Sequence, residues 1–150
     1  MKLKHILLAV FCLVFPSHSF EMLLEISVDE VYCEACIAGM KKKSLAGVKK
    51  VEDYIHPAFA RFELKEDANL EKTLKSLAEN NYTIHRSWLL LKDAKLSQTP
   101  AGPMIKTKSQ SICIKGIETK DLDTKPWFRA ELIFEENMPC LIPAEPLEAQ

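Results

Sequence analysis

Val31-Tyr32-Cys33-Glu34-Ala35-Cys36-Ile37-Ala38-Gly39-Met40 is the stretch on which the predicted fold depends, because it places two cysteines three positions apart between two different hydrophobic patterns. The residues before it alternate between apolar and polar as in a strand, and those after it repeat at helical spacing. A helix that begins at or just after Cys33 would present unpaired N–H groups and its positive dipole end to both sulfurs. Both effects favour the thiolate, which is the metal ligand and the nucleophile. The pair can therefore bind a soft metal, carry out redox chemistry or close into a disulfide.

Residues 1–19 have the features of a secretory signal peptide. Lys2 and Lys4 make the start positive, residues 6–15 form a short apolar core, and small residues precede a cleavage site before Phe20. The apolar core is shorter than the roughly 20 residues that a membrane span requires. We therefore expect an exported protein, periplasmic or secreted, whose mature chain has no membrane span.

The charge composition argues against a nucleic-acid-binding protein. The chain has 20 Lys and Arg against 21 Asp and Glu, and no basic face is concentrated enough to neutralise many phosphates. The sequence contains no recognisable Ser-His-Asp set, glycine-rich phosphate loop or catalytic carboxylate pair. We therefore predict a protein that is not an enzyme.

The hydrophobic pattern of residues 20–91 predicts one α+β domain. Strand-like and helix-like segments follow one another in the order β-α-β-β-α-β. This order is typical of the ferredoxin-like sandwich, in which both helices cover one face of a four-stranded antiparallel sheet. The predicted elements are a strand at 22–31, a helix from Cys36 that ends at Gly47, strands at 48–55 and 59–65, a helix at 70–80 and a strand at 82–90.

Residues 22–88 resemble the heavy-metal-associated domain, the family that includes small copper chaperones and the periplasmic mercury-binding protein. The resemblance implies a ferredoxin-like fold, one metal ion held by Cys33 and Cys36, Tyr82 near the metal loop, and a metal-transport protein as a candidate partner. The matching features are Cys33 and Cys36 between the first strand and the first helix, Gly47-Val48 at the helix end, Val51 in the second strand, and Asn81-Tyr82 before the last strand.

The remainder of the chain lies outside this resemblance. The proline-bearing segment 92–108 predicts a linker or a long surface loop. Two strand-like segments within 109–136 predict a β-hairpin extension that packs against the first domain or extends its sheet, because a lone hairpin is marginally stable in water. The composition of residues 137–150 predicts a flexible tail.

Four cysteines follow the predicted cleavage site: Cys33, Cys36, Cys113 and Cys140. Export implies an oxidising compartment, and four cysteines permit three connectivities that sequence alone does not distinguish. A disulfide within the short Cys33–Cys36 loop would stabilise little, since the entropic gain grows with loop length. The favoured interpretation is a Cys113–Cys140 disulfide, which leaves the closely spaced pair for chemistry.

Two thiolates with no third strong ligand nearby in sequence suit a soft ion of low coordination number. Cu(I) is the first expectation and Hg(II) the second, whereas structural zinc normally requires four protein ligands. We therefore predict an exported metal-binding protein for trafficking or sequestration. Two alternatives stay open: a thiol-disulfide redox protein, and a structural or interaction module whose CxxC is closed by a disulfide. The remaining candidate soft ligands are weaker: His56, His85, Met104 and Met138.

Overall fold

Nine strands and two helices make up the part of the chain that the computed structural model describes, which comprises residues 20–28, 43–52, 59–80 and 82–145. Their bounds are β1 Glu21–Val28, β2 Val48–Val51, β3 Phe59–Leu64, α1 Leu70–Glu79, β4 Ile84–Lys92, β5 Leu96–Thr99, β6 Gly102–Lys106, β7 Ser111–Ile114, α2 Lys120–Thr124, β8 Phe128–Glu135 and β9 Met138–Pro143. The strands form one continuous sheet in the order β2-β3-β1-β4-β8-β9-β7-β6-β5. Neighbouring strands are antiparallel except β7 and β9, which run parallel.

One face of the sheet carries the hydrophobic core. Leu24 and Ile26 of β1 are fully buried in it, because alternate residues of a strand point to the same face. The core continues through β4 and β8 to Ile112 and Leu141 at the other end of the sheet, and helix α1 contributes residues to it. The N-terminal and C-terminal strands of the described chain therefore share one core.

Helix α1 is fixed at its start by a side-chain cap. The side chain of Asn69 accepts a hydrogen bond from the backbone N–H of Lys72 at 3.0 Å, which satisfies one of the donors left unpaired in the first turn. Leu70, Thr73 and Leu77 are buried and recur at the three- and four-residue spacing of one helical face. The helix thus packs on the sheet through a narrow apolar stripe.

The turn between β6 and β7 is fastened to the same end of α1. Gln110 accepts a hydrogen bond from the backbone N–H of Leu70 at 3.3 Å and donates one to the carbonyl of Ala68 at 3.1 Å. Ser109 donates a second hydrogen bond to that carbonyl at 2.8 Å. The C-terminal strands are therefore tied by polar contacts, as well as by the core, to the helix of the N-terminal segment.

The ferredoxin-like βαββαβ sandwich predicted from the sequence is wrong. The sheet does not stop at four strands, because β4 pairs along its second edge with β8, as in Trp88 opposite Glu131 and Leu91 opposite Phe128. A strand as apolar as β4 would expose unpaired N–H and C=O groups at a sheet edge, and β8 removes that edge. The result is a nine-stranded mixed sheet with little helix in the described residues.

The predicted C-terminal hairpin of residues 109–136 is also wrong. Strands β7 and β8 are not neighbours, because β9 lies between them. The chain turns from β8 into β9 through Glu136 and Asn137, whose φ angles are 48° and 67°. Two residues of positive φ suit the twist of a tight two-residue hairpin, so the hairpin forms one strand later than predicted.

Two segments expected to be irregular contain strands. The predicted linker 92–108 contains β5 and β6, which pair antiparallel from Leu96–Ile105 to Thr99–Gly102. The predicted tail 137–150 begins with β9, a strand paired on both sides. The predicted first helix, from Cys36 to Gly47, lies outside the described residues up to position 42, and residues 43–47, which the structure describes, are not helical.

Among the described residues, no helix is long and apolar enough to cross a membrane.

Candidate functional site

The predicted metal ligands Cys33 and Cys36 lie outside the described residues. They belong to the connection between β1, which ends at Val28, and β2, which begins at Val48. At this end of β1, Ser27 pairs with Phe59 and Val28 pairs with Ile84. The role of both cysteines as metal ligands stays a prediction.

Tyr82, predicted to lie near the metal loop, is a core residue. It is 4% exposed, and its ring meets that of Phe62 edge to face, with the centroids 5.6 Å apart. Such contacts between aromatic rings add to the gain from burial alone. Its location near the metal pair stays a prediction.

Cys113 and Cys140 form a disulfide, which is the pairing that the sequence favours. They lie directly opposite each other on the parallel strands β7 and β9, with a Cα–Cα distance of 4.4 Å. Their sequence neighbours Ile112, Ile114 and Leu141 belong to the hydrophobic core, so the disulfide lies on the other face of the sheet. Cys140 is nevertheless fully buried and Cys113 is 7% exposed.

Of the four weaker candidate ligands, the two methionines lie near the disulfide. His85 is an exposed residue of β4, and His56 lies outside the described residues. Met104 of β6 lies directly opposite Cys113, and Met138 begins β9 two residues before Cys140. The structure therefore gathers both methionines around the disulfide.

A charged cluster that the sequence analysis did not identify occupies the middle of the face opposite the core. Glu25 is only 5% exposed. One of its carboxylate oxygens accepts a hydrogen bond from Arg61 Nη2 at 3.0 Å, and the other accepts from Arg129 Nη2 at 2.9 Å. The residues come from β1, β3 and β8, so one carboxylate links strands that are far apart in sequence.

Trp88 is the direct cross-strand partner of Glu25, and two guanidinium groups lie over its ring. It is 1% exposed, and the guanidinium carbons of Arg129 and Arg86 lie 4.3 and 5.3 Å from its ring centroid. Cations over an aromatic face are attracted by the ring quadrupole, most strongly for tryptophan. The cluster therefore buries a large ring on the more polar face of the sheet.

Arg86 also forms a bidentate ion pair with Glu131 of the neighbouring strand. Its Nε and Nη2 atoms lie 3.0 and 2.5 Å from the two carboxylate oxygens. The hydrogen bonds from Arg86 lower the pKa of Glu131 and in turn raise the pKa of Arg86.

Alternation along β1 indicates that Glu25 points away from Leu24. It does not reveal the register that places the arginines beside this carboxylate, so the cluster could not be found from the sequence.

A lysine-lined cleft of about 880 Å³ lies where the described chain resumes after the cysteine segment. Among the described residues, its lining includes Lys43, Lys49, Lys50 and Lys65 and one acidic residue, Glu52. Lys49 hydrogen-bonds Glu63, and this bond raises the pKa of the lysine.

Within the described residues, no three His, Cys, Asp or Glu side chains form a group that could hold a metal ion.

Comparison with models of protein families, with curated proteins and with solved structures gives no match.

Proposed function

We propose that this protein is an exported binder of one soft metal ion, with Cu(I) preferred and Hg(II) second, for metal trafficking or sequestration. The ligands are the thiolates of Cys33 and Cys36. Two sulfurs at this spacing satisfy a soft ion of low coordination number without further protein ligands. The proposal rests on these thiols, because the ferredoxin-like frame implied by the family resemblance is absent.

The observation that carries the proposal is the disulfide between Cys113 and Cys140. In an oxidising compartment, a cross-link from either of these residues to Cys33 or Cys36 would block the proposed ligands. Because Cys113 and Cys140 are bonded to each other, neither takes a sulfur of the CxxC pair. The pair is therefore left to the metal or to its own reversible oxidation.

The test is an anaerobic Cu(I) competition titration of the mature chain, residues 20–150, with the Cys113–Cys140 disulfide intact by peptide mapping. We expect one Cu(I) per chain, and none in the Cys33→Ser/Cys36→Ser variant. Glu34→Gln, which changes the same segment without removing a thiol, serves as the matched control and should retain the ion. Equal binding by the double serine variant would refute the proposal.

Redox assays of the same protein distinguish metal binding from the thiol-disulfide redox alternative. A thiol oxidoreductase would reduce insulin catalytically and exchange with a glutathione buffer at a defined potential. We expect no turnover above that of free dithiol. Catalytic reduction that requires Cys33, together with failure to retain Cu(I), would replace the metal-binding proposal with the redox one.

A further inference from the structure

Four sulfur-containing side chains lie together on one face of three adjacent strands. Met104 of β6 is the direct partner of Cys113 in β7, and Cys113 is the direct partner of Cys140 in β9. Met138 is two residues before Cys140, so it points to the same face. Side chains of direct cross-strand partners have Cβ atoms about 5 Å apart. The strand register thus creates a row of sulfur atoms that is not evident from the sequence.

This concentration of sulfur is high for the composition of the chain. The sequence has five methionines, and Met1 precedes the predicted cleavage site. Of the four that follow, two are beside the disulfide, and the other two are Met22 and Met40. Met22 belongs to the hydrophobic core, whereas Met104 is only half-buried and Met138 is 38% exposed. Burial of apolar surface alone therefore does not explain why positions 104 and 138 are methionines.

We propose that three of these side chains, Cys113, Cys140 and Met104, form a second soft-metal site, closed by the disulfide and opened by reduction. In the reduced state the thiolates of Cys113 and Cys140 and the thioether of Met104 bind one Cu(I) ion. Thiolate and thioether sulfurs are the ligands that select Cu(I). The burial of both cysteines shields the ion from water, which keeps its coordination number low.

The chemical steps balance with a dithiol as reductant. The dithiol supplies two electrons and two protons, the Cys113–Cys140 bond breaks, two thiols form, and the reductant closes into its own disulfide. Each thiol then releases its proton as it binds the metal. Cu(I) keeps its oxidation state, so the redox step controls only the availability of the ligands.

The site is tested in the mature Cys33→Ser/Cys36→Ser chain, so that the result is independent of the proposed CxxC function. Anaerobic titration against a chromophoric Cu(I) chelator is carried out before and after reduction, and reduction is verified by a mass gain of two hydrogens. We expect no bound Cu(I) before reduction and one ion per chain after it. X-ray absorption of the loaded protein should show sulfur ligands alone.

Two single methionine variants distinguish a thioether that binds the metal from one that only lies nearby. Met104→Leu should weaken Cu(I) binding by at least about tenfold, a loss that removal of an outer-shell partner already causes at many metal sites. Met138→Leu is the matched control, because it removes a thioether on the same face that does not lie directly opposite a cysteine, and it should leave the affinity within about twofold. A larger effect of Met138→Leu than of Met104→Leu would overturn the assignment of the third ligand.

Two results would overturn the site itself. One is a reduced chain that keeps its near-ultraviolet circular dichroism but takes no Cu(I) from the chelator. The other is a chain that unfolds on reduction, since the ligands come from separate strands and would no longer be held together. Cys113→Ser/Cys140→Ser gives the reference for a chain that lacks both thiols.

Discussion

At the scale of single residues, the carboxylate of Glu25 links β1 to β3 and to β8 through two arginines. It is buried on the face opposite the core and forms ion pairs with two guanidinium groups, those of Arg61 and Arg129, whose side chains are 27% and 25% exposed. A buried ion pair adds little compared with a well-packed apolar substitute, but breaking it leaves an uncompensated charge.

We expect Glu25→Gln to lower the free energy of unfolding by about 3 kcal/mol, because two arginines then face a neutral amide. Urea denaturation followed by far-ultraviolet circular dichroism measures this change. Glu21→Gln is the control on the same strand, since Glu21 meets Lys92 at 3.4 Å with side chains 59% and 37% exposed. Its effect should stay below about 1 kcal/mol, and equal losses in the two variants would contradict the role assigned to the buried carboxylate.

At this scale the sequence indicates the chemical types of the residues but not the partners that they contact. It singles out all four cysteines after the cleavage site, and the disulfide joins two of them as favoured. It does not place Met104 beside Cys113, because their proximity depends on the register of β6 and β7. Register between strands distant in sequence is set by tertiary packing and has no local signal.

At the scale of elements, Gly47 determines how closely the turn before β2 approaches helix α1. Its φ is 71°, and a Cβ atom built there would lie 2.4 Å from Thr73 Oγ1. The Thr73 hydroxyl already donates a hydrogen bond to the carbonyl of Asn69 at 2.9 Å, so it is held in place. Glycine therefore suits position 47 for two reasons: its backbone conformation is left-handed, and the close approach to Thr73 leaves no room for a Cβ atom.

Gly47→Ala should destabilise the protein by more than the cost of the backbone conformation, which is about 1–2 kcal/mol for an L-residue in the left-handed region. Gly116→Ala is the matched control: its φ is 66°, and its nearest neighbouring atom, Cδ of Pro143, would be 3.5 Å from the new Cβ. Thermal unfolding should show a larger loss for Gly47→Ala than for Gly116→Ala. Similar losses would mean that the contact with Thr73 relaxes without cost.

The elements themselves were partly predictable. Hydrophobic alternation indicated strands where β1, β3, β4, β7 and β8 lie, because such alternation is a local property. The short strands β5 and β6 were missed, since Pro100, Gly102 and Pro103 are residues typical of loops. Strand β9 was missed because Glu136-Asn137 is a weaker turn signal than the asparagine-glycine pair usual in tight hairpins.

At the scale of the whole molecule, the sequence predicted a metal-binding half and a separate extension, whereas the described chain has one sheet and one core. The error arose at β4, which was treated as the last strand of a closed unit. The sequence of Ile84–Lys92 does not indicate that its partner strand, Phe128–Glu135, lies some 40 residues further along the chain. Pairings of this range are decided by how much apolar surface the complete sheet buries.

The continuity of the sheet changes the expected effect of the disulfide. It closes a loop over a sequence separation of 27, so its loss should cost about 3.5 kcal/mol in the chain-entropy account. In a separate hairpin this cost would fall on the C-terminal strands alone. Because β9 is paired with both β7 and β8, and β8 with β4, the cost should instead be shared by the whole sheet.

We therefore expect Cys113→Ser/Cys140→Ser to shift a single cooperative unfolding transition to lower denaturant concentration. In a Trp127→Phe background the fluorescence of Trp88, near the middle of the sheet, reports on β4, and far-ultraviolet circular dichroism reports on all strands. The two transitions should coincide with and without the disulfide. Hydrogen exchange gives the decisive contrast: amides of β7 and β9 that open at a much lower free energy than those of β1 would show that the C-terminal strands unfold on their own.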